Sequence, residues 1–131
     1  MTKKINYYTP KLEEFHVGFR FEYYMERLDR HVTSILNTDS INGVFTSLSL
    51  GEIRVKHLDR KDIESNGWIQ NKERQLVNIQ VFTKTFQGIE HTLLFHEDEL
   101  NVTFLNESVL IGSATAKNIN EFQRLERQII R

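Results

Sequence analysis

The sequence predicts an α+β protein. It reads as an antiparallel meander of six or seven strands with a short internal helix and a C-terminal helix packed on the sheet. Three observations predict this. Apolar and polar residues alternate in several short segments, the period-2 pattern of strands with one buried face. The connections at Gln87-Gly88, at residues 96–99 and at Asn106-Glu107 are short, which makes consecutive strands antiparallel neighbours. Helix start and stop signals bracket only residues 59–65 and the last dozen residues.

Residues 1–10 are polar and end at Pro10, the only proline. They predict a flexible lead-in to a single domain spanning 1–131, a length sufficient to bury its own core. Phe15, Val17, Phe19, Phe21 and Tyr23 then alternate with Glu14, His16, Gly18, Arg20 and Glu22. This predicts a strand over 15–23 with its aromatic row buried, and Gly18 marks a bulge or a close backbone approach. Such a row would also suit stacking of single-stranded nucleic acid. The opposite face carries two acids and only one Arg, which favours burial.

Met25, Leu28, Val32 and Ile35 have helical spacing, but Val32, Thr33 and Ile35 are β-branched. A hairpin turning near 28–30 fits better than a helix. Residues 37–43 are a loop by composition, and 44–50 lead into the next strand, with Gly51 a turn or bulge. There Ile53 and Val55 alternate with Arg54 and Lys56. Asp59 stands where an N-cap belongs, Asp62 falls at the third helical position, and Asn66-Gly67 is a stop. A short helix over 59–65 is expected, with Trp68, the only tryptophan, re-entering the core.

A polar turn over 70–74 follows. Val77, Ile79 and Val81 begin a strand running to about Phe86. Thr92 to Phe95 forms the next, with Leu93 and Phe95 inward. Leu100, Val102 and Phe104 mark a third, and Val109 to Ile111 pairs back on it. Residues 114–117 connect to the closing helix. Asn118 is its N-cap and Glu121 sits three residues on. Ile119, Phe122, Leu125 and Ile129 form one apolar stripe that should lie across the sheet.

Composition narrows the function classes. The chain is 39% hydrophobic and 27% charged, with a net charge of −1. That balance is globular and speaks against a protein whose main task is gripping a nucleic-acid backbone. There is no cysteine, hence no disulfide, thiolate nucleophile or Cys-based zinc site. Lys3-Lys4 is followed by Ile5-Asn6-Tyr7-Tyr8 rather than an apolar run, and no stretch reaches membrane-span length. A soluble protein of the cytoplasm is expected, without cofactor or metal.

Gly-rich phosphate loops, nucleophile elbows and paired-His zinc motifs are absent from the sequence. Asp59, Asp62 and Glu64 could be drawn as a metal-dependent hydrolase, aided by Glu52, Lys56 or His57, and His96 adjoins three acids. Helix caps and strand-edge charges explain the same residues with fewer assumptions. The cations Arg54, Lys56, Arg60 and Lys61, with Arg20 if adjacent, form the better candidate binding surface, for a small ligand or nucleic acid.

Two blocks carry a resemblance. Tyr7-Tyr8-Thr9-Pro10 with Glu13-Glu14-Phe15-His16-Val17-Gly18-Phe19 is one. The other runs Ile53-Arg54-Val55-Lys56-His57-Leu58-Asp59-Arg60-Lys61-Asp62-Ile63-Glu64-Ser65, then Gly67-Trp68. In content and order they resemble small proteins of tailed bacteriophages and prophages to which no activity is assigned. Together they cover about a quarter of the chain. The chain departs from that pattern at Arg20, where those proteins usually have an acid. The resemblance implies a phage-encoded intracellular protein and carries over no functional residue. The expectation is a non-enzymatic interaction protein, binding a host or phage protein or itself, in the bacterial cytoplasm or the virion.

Overall fold

The computed structural model describes residues 6–39, 43, 48, 51–74 and 78–129. The expectations for Lys3, Lys4 and Val77, and most of residues 44–50, lie outside them. The architecture is α+β, with nine antiparallel strands in two sheets among the described residues and a C-terminal helix. The chain divides into two compact units, Met1–His57 and Leu58–Arg131, each with its own sheet.

Unit 1 holds β1 (Tyr7–Tyr8), β2 (Arg20–Met25), β3 (Arg30–Ile35) and β4 (Ile53–Lys56), in the order β1-β4-β2-β3. β4 pairs Glu22 with Arg54 on one side and Tyr7 with Lys56 on the other. The inner face buries Phe19, Phe21, Leu36, Ile53 and Val55, with Tyr8, Phe15, Tyr23 and Leu48 packed against them. The hairpin expected near 28–30 is present. A single turn at Glu26–Leu28 joins β2 to β3, and Asp29 takes φ 50°.

The long strand expected over 15–23 is shorter. β2 begins at Arg20 because the chain turns at Val17-Gly18. Gly18 adopts φ +94°, a conformation glycine reaches without steric cost. The Phe19 N–H closes the turn on the His16 carbonyl, and Gly18 donates to Leu36. Val17 is lifted to 63% exposure, whereas Phe15 returns to pack on Phe19 and Phe21. The aromatic row thus forms the core, but only partly as one strand.

Unit 2 holds α1 (Arg60–Ser65), β5 (Ile69–Gln70), β6 (Gln80–Phe86), β7 (Ile89–His96), β8 (Asn101–Asn106), β9 (Val109–Thr115) and α2 (Ile119–Ile129). The sheet order β5-β6-β7-β8-β9 is a meander, as the short turns imply. β9 extends to Thr115, beyond the 109–111 read from sequence. A bulge interrupts its pairing with β8 between Phe104 and Leu105.

α1 is capped as its residues dictate. Asp59 accepts from the Asp62 N–H at 3.0 Å, and Asp62 accepts from the Asp59 N–H at 3.3 Å. Gly67 follows at φ +92°. At α2, Asn118 accepts from the Glu121 N–H, and Glu121 reaches one residue further back, to the Lys117 N–H.

The α2 stripe meets the sheet as expected. Phe122 is fully buried and stacks on Phe104 at 6.1 Å. Ile119, Leu125 and Ile129 pack at its margins. Trp68 is 1% exposed, wedged against Phe86 and Phe104. Ten buried residues form this core among those described. Phe122, Trp68 and the sheet phenylalanines contribute most to it, at roughly 1.5–3 kcal/mol for each fully buried apolar side chain.

Candidate functional site

The cations singled out by sequence fall in different units: Arg20, Arg54 and Lys56 in unit 1, Arg60 and Lys61 in unit 2. On β4, Arg54 points to the face opposite the core. Its guanidinium donates to Glu22 at 2.9 Å through Nε and lies 2.8 Å from it through Nη2. It also lies 3.6 Å above the centre of the Tyr7 ring. Strand alternation puts Arg20 and Lys56 on that same face, because they stand two residues from Glu22 and Arg54. Arg60 pairs with Glu64 one helical turn away, at 3.2 Å. Lys61 sits beside it on α1.

The structure therefore brings Arg54, Lys56 and Arg20 together on one sheet face. Arg54 is already engaged by an acid and an aromatic ring. Sequence reasoning missed Tyr7, the aromatic partner of this basic face. Only the β1–β4 pairing, between distant parts of the chain, reveals it.

The acids have structural work. Asp59 and Asp62 form the reciprocal cap of α1, and Glu64 pairs with Arg60. His57 stacks on Tyr8 at 4.6 Å, and its Nδ1 is buried without a hydrogen-bond partner. Glu97, beside His96, accepts from the Gln80 side chain. Among the described residues, no three His, Cys, Asp or Glu side chains are grouped so as to hold a metal ion.

A half-buried polar knot sits between sheet and helix in unit 2. Lys84 donates to the Asn66 carbonyl and to Glu126, 3.3 Å away, and lies over the Phe86 ring at 4.6 Å. Glu126 also accepts from the Trp68 indole at 2.8 Å. Each group has a partner, so the knot reads as a clasp holding α2 to β6.

Among the described residues, one edge strand has no strand on its outer side. β9 ends the five-stranded sheet. Val109, Leu110 and Ile111 are 67%, 63% and 39% exposed along it. The strand reads VLIGSAT, without charge or proline. On the helix side, Gly112 approaches the end of α2. A Cβ there would lie 3.3 Å from Ile129 Cδ1, so helix and strand meet through a bare glycine. The apolar signal at 109–111 is legible in the sequence as a strand pairing back on the one before it, and it does pair with β8. That the strand is an edge depends on the sheet order.

No described helix is long and apolar enough to cross a membrane. Compared with models of protein families, with curated proteins and with solved structures, the chain matches none of them.

Proposed function

We propose that the protein is a non-enzymatic interaction protein that holds another protein chain along the open edge of the five-stranded sheet. The observation that supports this reading is β9 itself: seven residues, uncharged, with three consecutive apolar side chains exposed. Such an edge offers unpaired N–H and C=O groups that a further strand can complete. Natural edges are usually blunted by charge, proline, brevity or a β-bulge; β9 has no charge or proline, and its one bulge leaves residues 112–115 regular. The resemblance of the two blocks to phage and prophage proteins supports a phage-encoded protein acting in the cytoplasm of the infected bacterium or in the virion.

The test is site-specific photo-crosslinking. A photoreactive side chain at Leu110 is expected to give discrete protein adducts in expressing cells, and the same group at Arg124, on the exposed side of α2, is not. Equal labelling from both positions, or none from Leu110, would remove the reading.

A second reading, nucleic-acid binding through Arg54, Lys56 and Arg20 on the unit 1 sheet, is favoured by Tyr7 lying on the same face as Arg54. The Glu22–Arg54 pair weakens it, because neutralised cations contribute little to phosphate binding. A gel shift at low salt with single- and double-stranded probes is expected to show no retardation.

A further inference from the structure

We infer that the chain received by β9 is a second copy of the same protein, the two β9 strands pairing antiparallel about a two-fold axis close to Ser113. This rests on reading the β9 edge as the binding surface.

The ladder fixes which groups are available. The Ala116 N–H donates to the Leu100 carbonyl at 2.7 Å, and the register continues through Asn101–Thr115 and Val102–Ala114. Hydrogen-bonded and non-bonded pairs alternate in an antiparallel ladder. Ala114 and Gly112 therefore bond to β8, while Ser113 and Thr115 turn their N–H and C=O groups outward. The bulge lies before Gly112, so residues 112–115 remain regular and able to accept a strand.

Self-pairing about a two-fold places each residue of one edge against the same short segment reversed. A charged strand would meet its own sign there. VLIGSAT has no charge to repel. Charge appears just beyond its two ends, and with opposite signs. Glu107, in the turn before β9, and Lys117, after it, are both exposed. An axis at Ser113 sets Lys117 against Val109 of the partner copy, two residues along the chain from Glu107, so the opposite charges fall at the same end of the shared ladder and the symmetry repeats them at the other. The apolar residues Val109, Leu110 and Ile111 then run beside Thr115 and the residues after it in the partner, which covers the side chains now exposed. The two five-stranded sheets become one.

The experiment is sedimentation velocity over a concentration series on three proteins: wild type, Ser113→Pro and Ser113→Lys. Proline at 113 removes an N–H that the protein's own sheet does not use, together with exposed hydroxyl contacts to Asn101 and Thr103, so the fold is retained, as unchanged Trp68 emission will report. Lysine at 113 sets like charges opposite each other across the axis. Wild type is expected to dimerise with rising concentration. Each variant is expected to weaken the dimer by about tenfold or more, since every substitution counts twice at a two-fold interface.

The chain has no cysteine, so Ser113→Cys supplies a single thiol. A short bismaleimide should link two copies through it, and Arg124→Cys should give no linked dimer. A monomer at all concentrations, a dimer indifferent to both Ser113 substitutions, or equal linking from positions 113 and 124 overturns the inference. Adducts of Leu110 with a different protein, alongside a monomeric wild type, overturn the second copy and leave the edge reading standing. No Leu110 adducts of any kind overturn both.

Discussion

Each unit contains a hairpin closed by the same connector, and the two are held in different ways. In unit 1 a single turn at Glu26–Leu28 ends at Asp29, whose N–H donates to the Glu26 carbonyl. In unit 2 Glu97–Glu99 ends at Leu100, whose N–H donates to the Glu97 carbonyl. Both end residues are left-handed, at φ 50° and 53°. Aspartate visits that region several times more readily than leucine. Asp29 is fixed locally, by accepting a hydrogen bond from the exposed Tyr24 hydroxyl. Leu100 is fixed from a distance. Its side chain packs on the core and its carbonyl accepts from Ala116. One backbone solution is thus secured by side-chain chemistry where the core is small, and by packing where it is large.

That comparison can be broken first at the cores. Phe122→Ala is expected to cost about 3–5 kcal/mol, read as a lower denaturant midpoint of Trp68 emission. Phe21→Ala should fall at the low end of that range, since Phe15 and Tyr23 beside it are already half-buried. It would be followed by amide exchange in β2 and β3. Equal losses would deny that the two cores differ in weight.

Next comes the clasp. Glu126→Ala strands the Trp68 indole and removes the ion pair of Lys84, which keeps the Asn66 carbonyl. It is expected to cost about 2 kcal/mol in the same denaturation assay, because a hydrogen bond to a charged group is worth more than a neutral one. Its loss should also shift Trp68 emission.

The connectors are tested by glycine. Leu100→Gly relieves the left-handed backbone but removes the packing, for a net loss of about 1 kcal/mol. Asp29→Gly should be close to neutral in the same measurement. The reverse ranking would mean that local chemistry governs both turns.

The smallest effect is a titration. The hydrogen bond to Asp29 is the main cause holding the Tyr24 phenol above its ordinary value of 10.0, with smaller contributions from desolvation and the Glu26 charge. A raised folded-state value means this contact stabilises below the ordinary tyrosine range and is lost as pH rises through the raised one. In Asp29→Ala, ultraviolet titration should show tyrosinate appearing at lower pH than in wild type.

What the sequence revealed was local. The α1 cap, the α2 stripe and the turns of unit 2 all depend on residues within a few positions of each other. Other features were not legible in the local pattern. Arg54 enters the candidate binding surface without its partners because Glu22 and Tyr7 reach it only through the β4 pairings. The meander was read as one sheet because nothing local states that β4 inserts between β1 and β2. The Phe15-to-Tyr23 alternation looked continuous because a turn at Val17-Gly18 keeps the same aromatics inward. The β9 edge had its apolar residues in plain view, but only the order of the sheet makes them an edge.

The order β1-β4-β2-β3 also carries a consequence in time. Each strand of unit 2 after β6 pairs with the one made just before it, so the meander can assemble as fast as its hairpins close. In unit 1 only the β2–β3 hairpin is local. Tyr7 waits for Lys56, and β2 keeps an open side until β4 emerges and fills it. During synthesis the sheet of unit 1 is therefore complete only once β4 has emerged.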